Sequence, residues 1–188
     1  MNLFRGIVEL RIMRSILFNI WEVLEVVLIA AVTVFLIRAF IVQPFLVSGR
    51  SMFSSFVDAD YVLVDELSYR FKNLERGDVI VFRYPLNPKL FYIKRVIGIP
   101  GDHVVVKNGE VFINEVKLKE AYLDPGITSM GRVDEYVGDG ELMAFGDNRP
   151  HSYDSRSFGP FSSDNIIGVV RVRLLPMVRA QIIERPSY

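Results

Sequence analysis

The chain has 188 residues, enough for one domain with a real core plus one extra element. Its 22 basic and 22 acidic residues cancel to a formal net charge of zero, which argues against a nucleic-acid binder, whose surface carries a clustered basic excess. With no cysteine and only His103 and His151, it cannot build a disulfide, a thiolate metal site, a cysteine nucleophile or a histidine-rich metal centre.

From Ile16 to Val42 the chain is nearly all apolar, interrupted by Asn19, Glu22, Glu25, Thr33 and Arg38. The uncharged part, Val26–Ile37, covers only about 18 Å as helix, against a bilayer core about 30 Å thick. Val23–Val42 supplies the missing length if Glu25 and Arg38 lie near the two interfaces and reach outward. A buried core helix and a cleaved signal peptide are the alternatives, and the run is too long for either. We therefore expect a transmembrane helix over residues 16–42, after a short cytoplasmic N-terminus, 1–15. Arg5, Arg11 and Arg14 precede the span against Glu9, whereas only Arg50 follows closely, beside Asp58 and Asp60. That asymmetry keeps the N-terminus in the cytoplasm and puts the remainder outside. Pro44 is expected to end the helix.

Residues 43–188 read as mainly β. "DYVLVDE" and "GDVIVFRY" are short β-branched and aromatic runs bounded by turn residues. In "HVVVKNGEVFIN", Asn108-Gly109 separates two apolar runs, the strongest short hairpin signature. "EAYLDPGITSMGRVDEYVGDG" is a loop-rich excursion, and we place it in a smaller β subdomain, about residues 103–140, inserted between strands. "GVVRVRLL" alternates as a late strand. No stretch after the apolar run has a long helical period.

Three stretches concentrate unusual residues. "SGRSMFSS" contains Ser51, and a serine hydroxyl becomes a nucleophile only when a base removes its proton. By itself such a serine is ordinarily a turn or capping residue. "FYIKRVIGIPGD" puts Lys94 and Arg95 in a strand-like run. Alternation sends them to opposite faces, so one of the two is expected to face the core. A buried lysine tends to lose its proton, and a neutral lysine is a general base. The plain alternative is two cations at a strand edge. "FGDNRPHSYDSRSFGP" packs Asp147, Asn148, Ser152, Asp154, Ser155 and Arg156 together, as loops that hold a site do, and as a surface turn with an Asp–Arg pair also does. His151 also permits a Ser-His-Asp reading with Ser51 and Asp154, since triads are defined by geometry.

The order "RAFIVQPFLVSGRSM", "RGDVIVFRYP", "YIKRVIGIPGD", "NGEVFIN" and "GDNRPHSYDSR" behind an apolar anchor resembles the bacterial type I signal peptidases, or leader peptidases. The resemblance covers roughly residues 36–170. It implies a single transmembrane helix followed by a largely β catalytic domain with a smaller β insertion. In that family a serine–lysine dyad cleaves signal peptides from exported preproteins at the outer face of the membrane, without cofactor or metal. Carried over, the nucleophile is Ser51, the general base Lys94, and the residue that orients the lysine Ser152. Asp147, Asp154 and Arg156 support the site. Shallow apolar pockets for small residues such as alanine at positions −1 and −3 of the substrate are expected to draw on Phe45, Val47, Met52, Tyr92 and Ile93. The implied partners are exported preproteins and the lipid bilayer, with no nucleic acid.

Two departures stand out. Where the family usually reads Pro-Thr-Leu, this chain has Ser54-Ser55-Phe56, and losing the proline loosens the turn. Some members place a serine two residues before the nucleophile, to complete the oxyanion hole; here that position is Gly49. Ser48 is then the candidate second donor beside the Ser51 amide. The rival readings are another membrane-tethered serine–lysine peptidase on a related fold, and a non-catalytic β module that binds exported peptides, which has no need of Ser51, Lys94 and Ser152 together.

Overall fold

The computed structural model describes residue 14 and residues 18–35, 42–67, 69, 71 and 73–188. The chain divides into two compact units, the first ending at Ile41 and the second running from Val42 to Tyr188. In the first, helix α1 spans Phe18–Phe35. Its side chains are exposed on every side although most are apolar, so the helix has no core of its own to fill. At 1.5 Å per residue it is about 27 Å long, and it is long and apolar enough to cross a membrane. The expected span of 16–42 runs past it. Residues 16, 17 and 36–41, like 1–13, lie outside the described residues. Val42 is a correction, because it opens the first strand.

The main sheet of the second unit has the order β1 (Val42–Leu46), β2 (Tyr61–Asp65), β11 (Ile166–Leu175), β3 (Val79–Tyr84), β4 (Asn87–Gly98), β9 (Glu141–Phe145) and β10 (Phe161–Ser162), with β12 (Gln181–Ile182) paired to β11. Neighbours are antiparallel. Pro44, expected as a helix stop, instead sits inside β1, opposite Leu63. An edge strand tolerates a residue with no amide hydrogen, and β1 is at the edge.

Alternation along β3 creates two apolar layers. Val79 and Val81 join Val47, Met52, Phe56, Val62, Val64 and Val170 on one side. Ile80 and Phe82 join Val96, Leu142, Ala144, Phe161 and Val169 on the other. β4 lies inside the sheet between β3 and β9, and the two apolar layers cover both of its faces, Ile93 packing on one and Val96 on the other. That corrects the expectation for its two cations: Lys94 and Arg95 are both buried, each 4% exposed.

A second sheet has the order β7 (Val116–Lys117), β6 (Glu110–Ile113), β5 (His103–Lys107), β8 (Val133–Tyr136). β5 and β6 meet at Asn108-Gly109, whose φ values of 53° and 82° are both left-handed, as a two-residue hairpin turn of this type requires. Val104, Val106, Val111 and Ile113 pack with Ile97 of β4 and with Met143 and Phe145 of β9. The ends of β4 and β9 therefore tie the second sheet to the main one.

Replacing the fully buried Ile80 by alanine removes core volume between β3 and β9 and is expected to cost about 2–5 kcal/mol in denaturant unfolding. Replacing the exposed Leu86 is expected to change stability by no more than about 0.5 kcal/mol.

Candidate active site

The loop between β1 and β2 carries Ser51. Its mouth is closed by two backbone bonds, Val47 N–H to Asp60 O (2.8 Å) and Ala59 N–H to Val47 O (2.9 Å). At its turn, Gly49 takes a φ of 90°, which favours glycine, and its amide donates to Asp58 Oδ1 at 2.7 Å. Met52 and Phe56 plunge into the apolar layer beneath, both almost fully buried. With its neighbours anchored below, Ser51 is left half-buried at the cleft.

Lys94 reaches Ser51 from β4. Its Nζ donates to Ser51 Oγ at 2.7 Å and to the carbonyl of Ile93 at 2.9 Å. The first separation serves equally for the reverse bond, in which a neutral amine accepts the hydroxyl proton. Burial pulls the Lys94 pKa down to about 8, against the opposing pull of Asp154 and Asp147.

The segment between β9 and the short helix α2 (Ser155–Phe158) clasps the Ser51 loop. The Asn148 amide donates to Ser51 O (3.0 Å), and Asn148 Nδ2 donates to Arg50 O (3.0 Å). Gly146 passes so close that a Cβ there would stand 2.4 Å from Ser51 O and 2.2 Å from Ser152 Oγ. Asp147 forms a forked, buried pair with Arg95, at 3.0 and 2.6 Å, and Arg95 also donates to Gly77 O at 3.0 Å. Asp154 caps α2 and accepts from the Gly146 amide (2.9 Å) and twice from Arg156 (2.8 Å each). Burial pushes the Asp154 carboxyl up, but Arg156 and the Gly146 amide outweigh it and hold the carboxyl below its ordinary range. These bonds give Asp147, Asp154 and Arg156 a supporting place around Ser51 and Lys94, none of them touching either side chain.

The other sequence-predicted residues divide. A cleft of about 370 Å³ beside Ser51 and Lys94 is lined by Phe45, Val47, Ser48, Tyr92 and Ile93. Met52 is a correction: it faces the core, because the loop needs it as an anchor. Ser152 makes no hydrogen bond to Lys94. Its Oγ is buried and helps to hold the Asp154 carboxyl down, and the second bond of Lys94 goes to Ile93 O instead. His151 lies exposed, with Nδ1 against Asn148 Oδ1 at 3.1 Å, and has no bond to Ser51. Among the described residues no cluster of His, Asp and Glu side chains is grouped to hold a metal.

Sequence reasoning missed Arg95 as the partner of Asp147, Asn148 as the staple and Tyr153 as a cleft wall. It also missed Gly146, whose lack of a side chain the site requires. "GDN" after an apolar strand was the signal available for the staple and the glycine.

A family model described as signal peptidase, peptidase S26, matches residues 20–175. Signal peptidase I U of Bacillus subtilis is 36% identical over 163 residues, covering 82% of this chain and 86% of that protein. Signal peptidase IB of Staphylococcus aureus is 35% identical over 175 residues, covering 82% and 91%. A crystal structure of a signal peptidase I from Enterococcus faecalis is 31% identical and aligns with 52% of this chain and 97% of its own, at a TM-score of 0.46.

Gly146→Ala is expected to lower peptidase activity roughly 10²-fold, because the added methyl group must push the Ser51 backbone aside and a displacement of about 1 Å suffices for such a loss. Steady-state rates, with thermal unfolding as a control for folding, check it.

Proposed function

This chain belongs to the signal peptidase family, peptidase S26, and is a serine peptidase; from that premise we propose that Ser51 is its nucleophile and Lys94 its general base, and that it cuts signal peptides from exported preproteins after small residues of the Ala-X-Ala type. The observation that carries this reading is the 2.7 Å contact between Lys94 Nζ and Ser51 Oγ, made by a lysine buried enough to have a pKa of about 8.

An ordinary lysine, with a pKa near 10.4, is neutral about once in 10³ at pH 7. At a pKa of about 8 the neutral fraction is roughly one in ten. Neutral Lys94 takes the Ser51 proton as Oγ attacks the scissile carbonyl. The negative charge that develops on the carbonyl oxygen needs donors. The Ser51 amide donates no hydrogen bond within the protein among the described residues and serves as one. Ser48, on the wall of the same cleft, supplies the second from its hydroxyl. Lys94, now protonated, gives its proton to the leaving amine, and the acyl group stays on Ser51 Oγ. Lys94 then removes a proton from water as its oxygen attacks the ester, and returns that proton to Ser51 Oγ as the bond from the acyl carbon to Oγ breaks, which frees the new acid and restores both side chains.

Ser152 keeps its proposed part in orienting Lys94 because its buried hydroxyl belongs to the segment that clasps Ser51 and stands beside Asp154. Phe45, Val47, Tyr92 and Ile93 form an apolar wall suited to small residues. Family and apolar helix together make this a membrane-associated enzyme. Our reading is a single pass with residues 1–15 in the cytoplasm, and residues 43–188 outside as the catalytic domain. Residues 103–140 are its smaller insertion, and the bilayer and exported preproteins are its partners.

Ser51→Ala and Lys94→Ala are each expected to abolish cleavage of a preprotein carrying an Ala-X-Ala site. Lys94→Arg is expected to stay inactive, because arginine keeps the charge but cannot accept the proton. Ser152→Ala falls between, and His151→Ala retains most activity. In the active enzyme kcat/KM rises with pH through the Lys94 pKa of about 8, since the amine works only when neutral. Near-normal cleavage by Lys94→Ala, or loss of activity in a folded His151→Ala, replaces the lysine base with a histidine.

For topology, a reporter active only outside the cytoplasm is expected to work fused after Tyr188 and to fail fused after Arg14. The reverse pattern would put the site on the wrong side for exported preproteins.

A further inference from the structure

The nucleophile loop departs from the pattern it resembles at Ser54-Ser55-Phe56, where a proline would stand first. Proline stiffens a turn from within by fixing φ. This loop is instead gripped from outside at the same three residues. Ser54 Oγ donates to Asp124 Oδ1 at 2.7 Å. The Ser55 carbonyl accepts from Arg173 at 2.7 Å. The Phe56 ring lies under the same guanidinium, 5.7 Å from the ring centroid.

Both gripping residues have fixed bases. Arg173, on β11, is buried; it donates to Arg179 O at 2.8 Å and pairs with Asp60 Oδ2 at 3.3 Å. Asp60 is fully buried and also takes Arg179 (2.6 Å) and the Val57 amide (2.9 Å), while its carbonyl closes the loop's mouth on Val47. Asp124 stands on the excursion between β7 and β8. Buried Arg149 ties that excursion down through Glu120 and Ser129 and anchors on Gly146 O at 3.0 Å.

We propose that Arg173 and Asp124 are positioning residues for Ser51, a two-point clamp that holds Ser54–Phe56 in place of a proline and so keeps the hydroxyl, three residues earlier, within reach of Lys94. The inference rests on the reading of Ser51 as nucleophile. Phe45 and Leu46 of β1 and Phe91, Tyr92 and Ile93 of β4 wall the cleft, and neither Arg173 nor Asp124 bonds to them; Val47, on the same wall, meets the clamp's base through Asp60 O. Loosening the clamp therefore slows the chemistry more than it weakens substrate binding. Arginine is required at 173, because its bonds leave from two nitrogens held in one plane, Nε to Arg179 O and Nη1 to Ser55 O and Asp60, whereas a lysine donates from a single point. Ser54 is also a position where proline fits the hydrogen bonding, since its amide donates to nothing in the protein among the described residues.

The test measures kcat and KM separately for the full chain in detergent micelles, on a peptide with an Ala-X-Ala site, with thermal unfolding alongside. Arg173→Lys, which keeps a positive charge beside Asp60, is expected to lose at least about tenfold in kcat with KM changed less than about twofold. Asp124→Ala, at an exposed site, and Ser54→Ala each remove the bond between them and are each expected to lose about threefold in kcat. Ser54→Pro removes the same bond but stiffens the turn from within, and is expected to be at least as active as the natural chain. A role in stability alone would move thermal unfolding and leave kcat in place. Unchanged kcat in Arg173→Lys overturns the buried half of the clamp, and unchanged kcat in Ser54→Ala and Asp124→Ala, or a Ser54→Pro as slow as Ser54→Ala, overturns the exposed half. Ser51→Ala runs beside them: if it still cleaves, the reading of the site fails, whereas a dead Ser51→Ala with a normal Arg173→Lys sinks the clamp alone.

Discussion

The rest of the site depends on the burial of one lysine. Lys94 occupies an interior strand, so no solvent stabilises its charge, and no carboxylate bonds it directly. Lowering its pKa from 10.5 to about 8 corresponds to about 3 kcal/mol of disfavoured protonation. That energy is a cost of the fold at neutral pH and the source of the base. It also explains why β4 must sit in the middle of the sheet: on an edge the ammonium would be hydrated and ordinary.

Around this lysine the other charges are arranged so as not to undo it. Asp147 and Asp154 both act to raise the Lys94 pKa. Each is bound to an arginine, Asp147 to Arg95 and Asp154 to Arg156, and Arg156 pushes the lysine the other way. The two pairs also do mechanical work. Arg95 lies next to Lys94 on β4, and its fork fixes Asp147 beside the Asn148 staple on Ser51. Asp154 fixes Gly146, where the backbone leaves no room for a side chain beside Ser51. Breaking either buried pair would both leave a bare charge and loosen the clasp.

Much of the second unit was legible in the sequence because its signals are local. Asn108-Gly109 names its hairpin, and the alternating valines of β2 and β11 name their faces. Ser51 and Lys94 were singled out by resemblance, and their contact by none of the local rules, since 43 residues separate them. Alternation misled at Lys94 and Arg95 because it predicts one buried face, and an interior strand has two. Pro44 misled because a proline that stops a helix also suits an edge strand, and pairing with β2 decides between them. Met52, expected in a pocket, is buried instead, because a loop that holds Ser51 at the cleft sinks its neighbours into the core. The roles of Arg95, Asn148 and Arg173 were hidden because each acts across long sequence separations on backbone or charge.

The account stands or falls on the protonation of Lys94. Nitrogen NMR of the lysine side chains, with Lys94 assigned by difference against a Lys94→Arg variant and followed over a pH series in micelles, reads it directly and without catalysis. A midpoint near 8 is expected for Lys94. A midpoint near the ordinary 10.4 would leave the amine charged at working pH and contradict it.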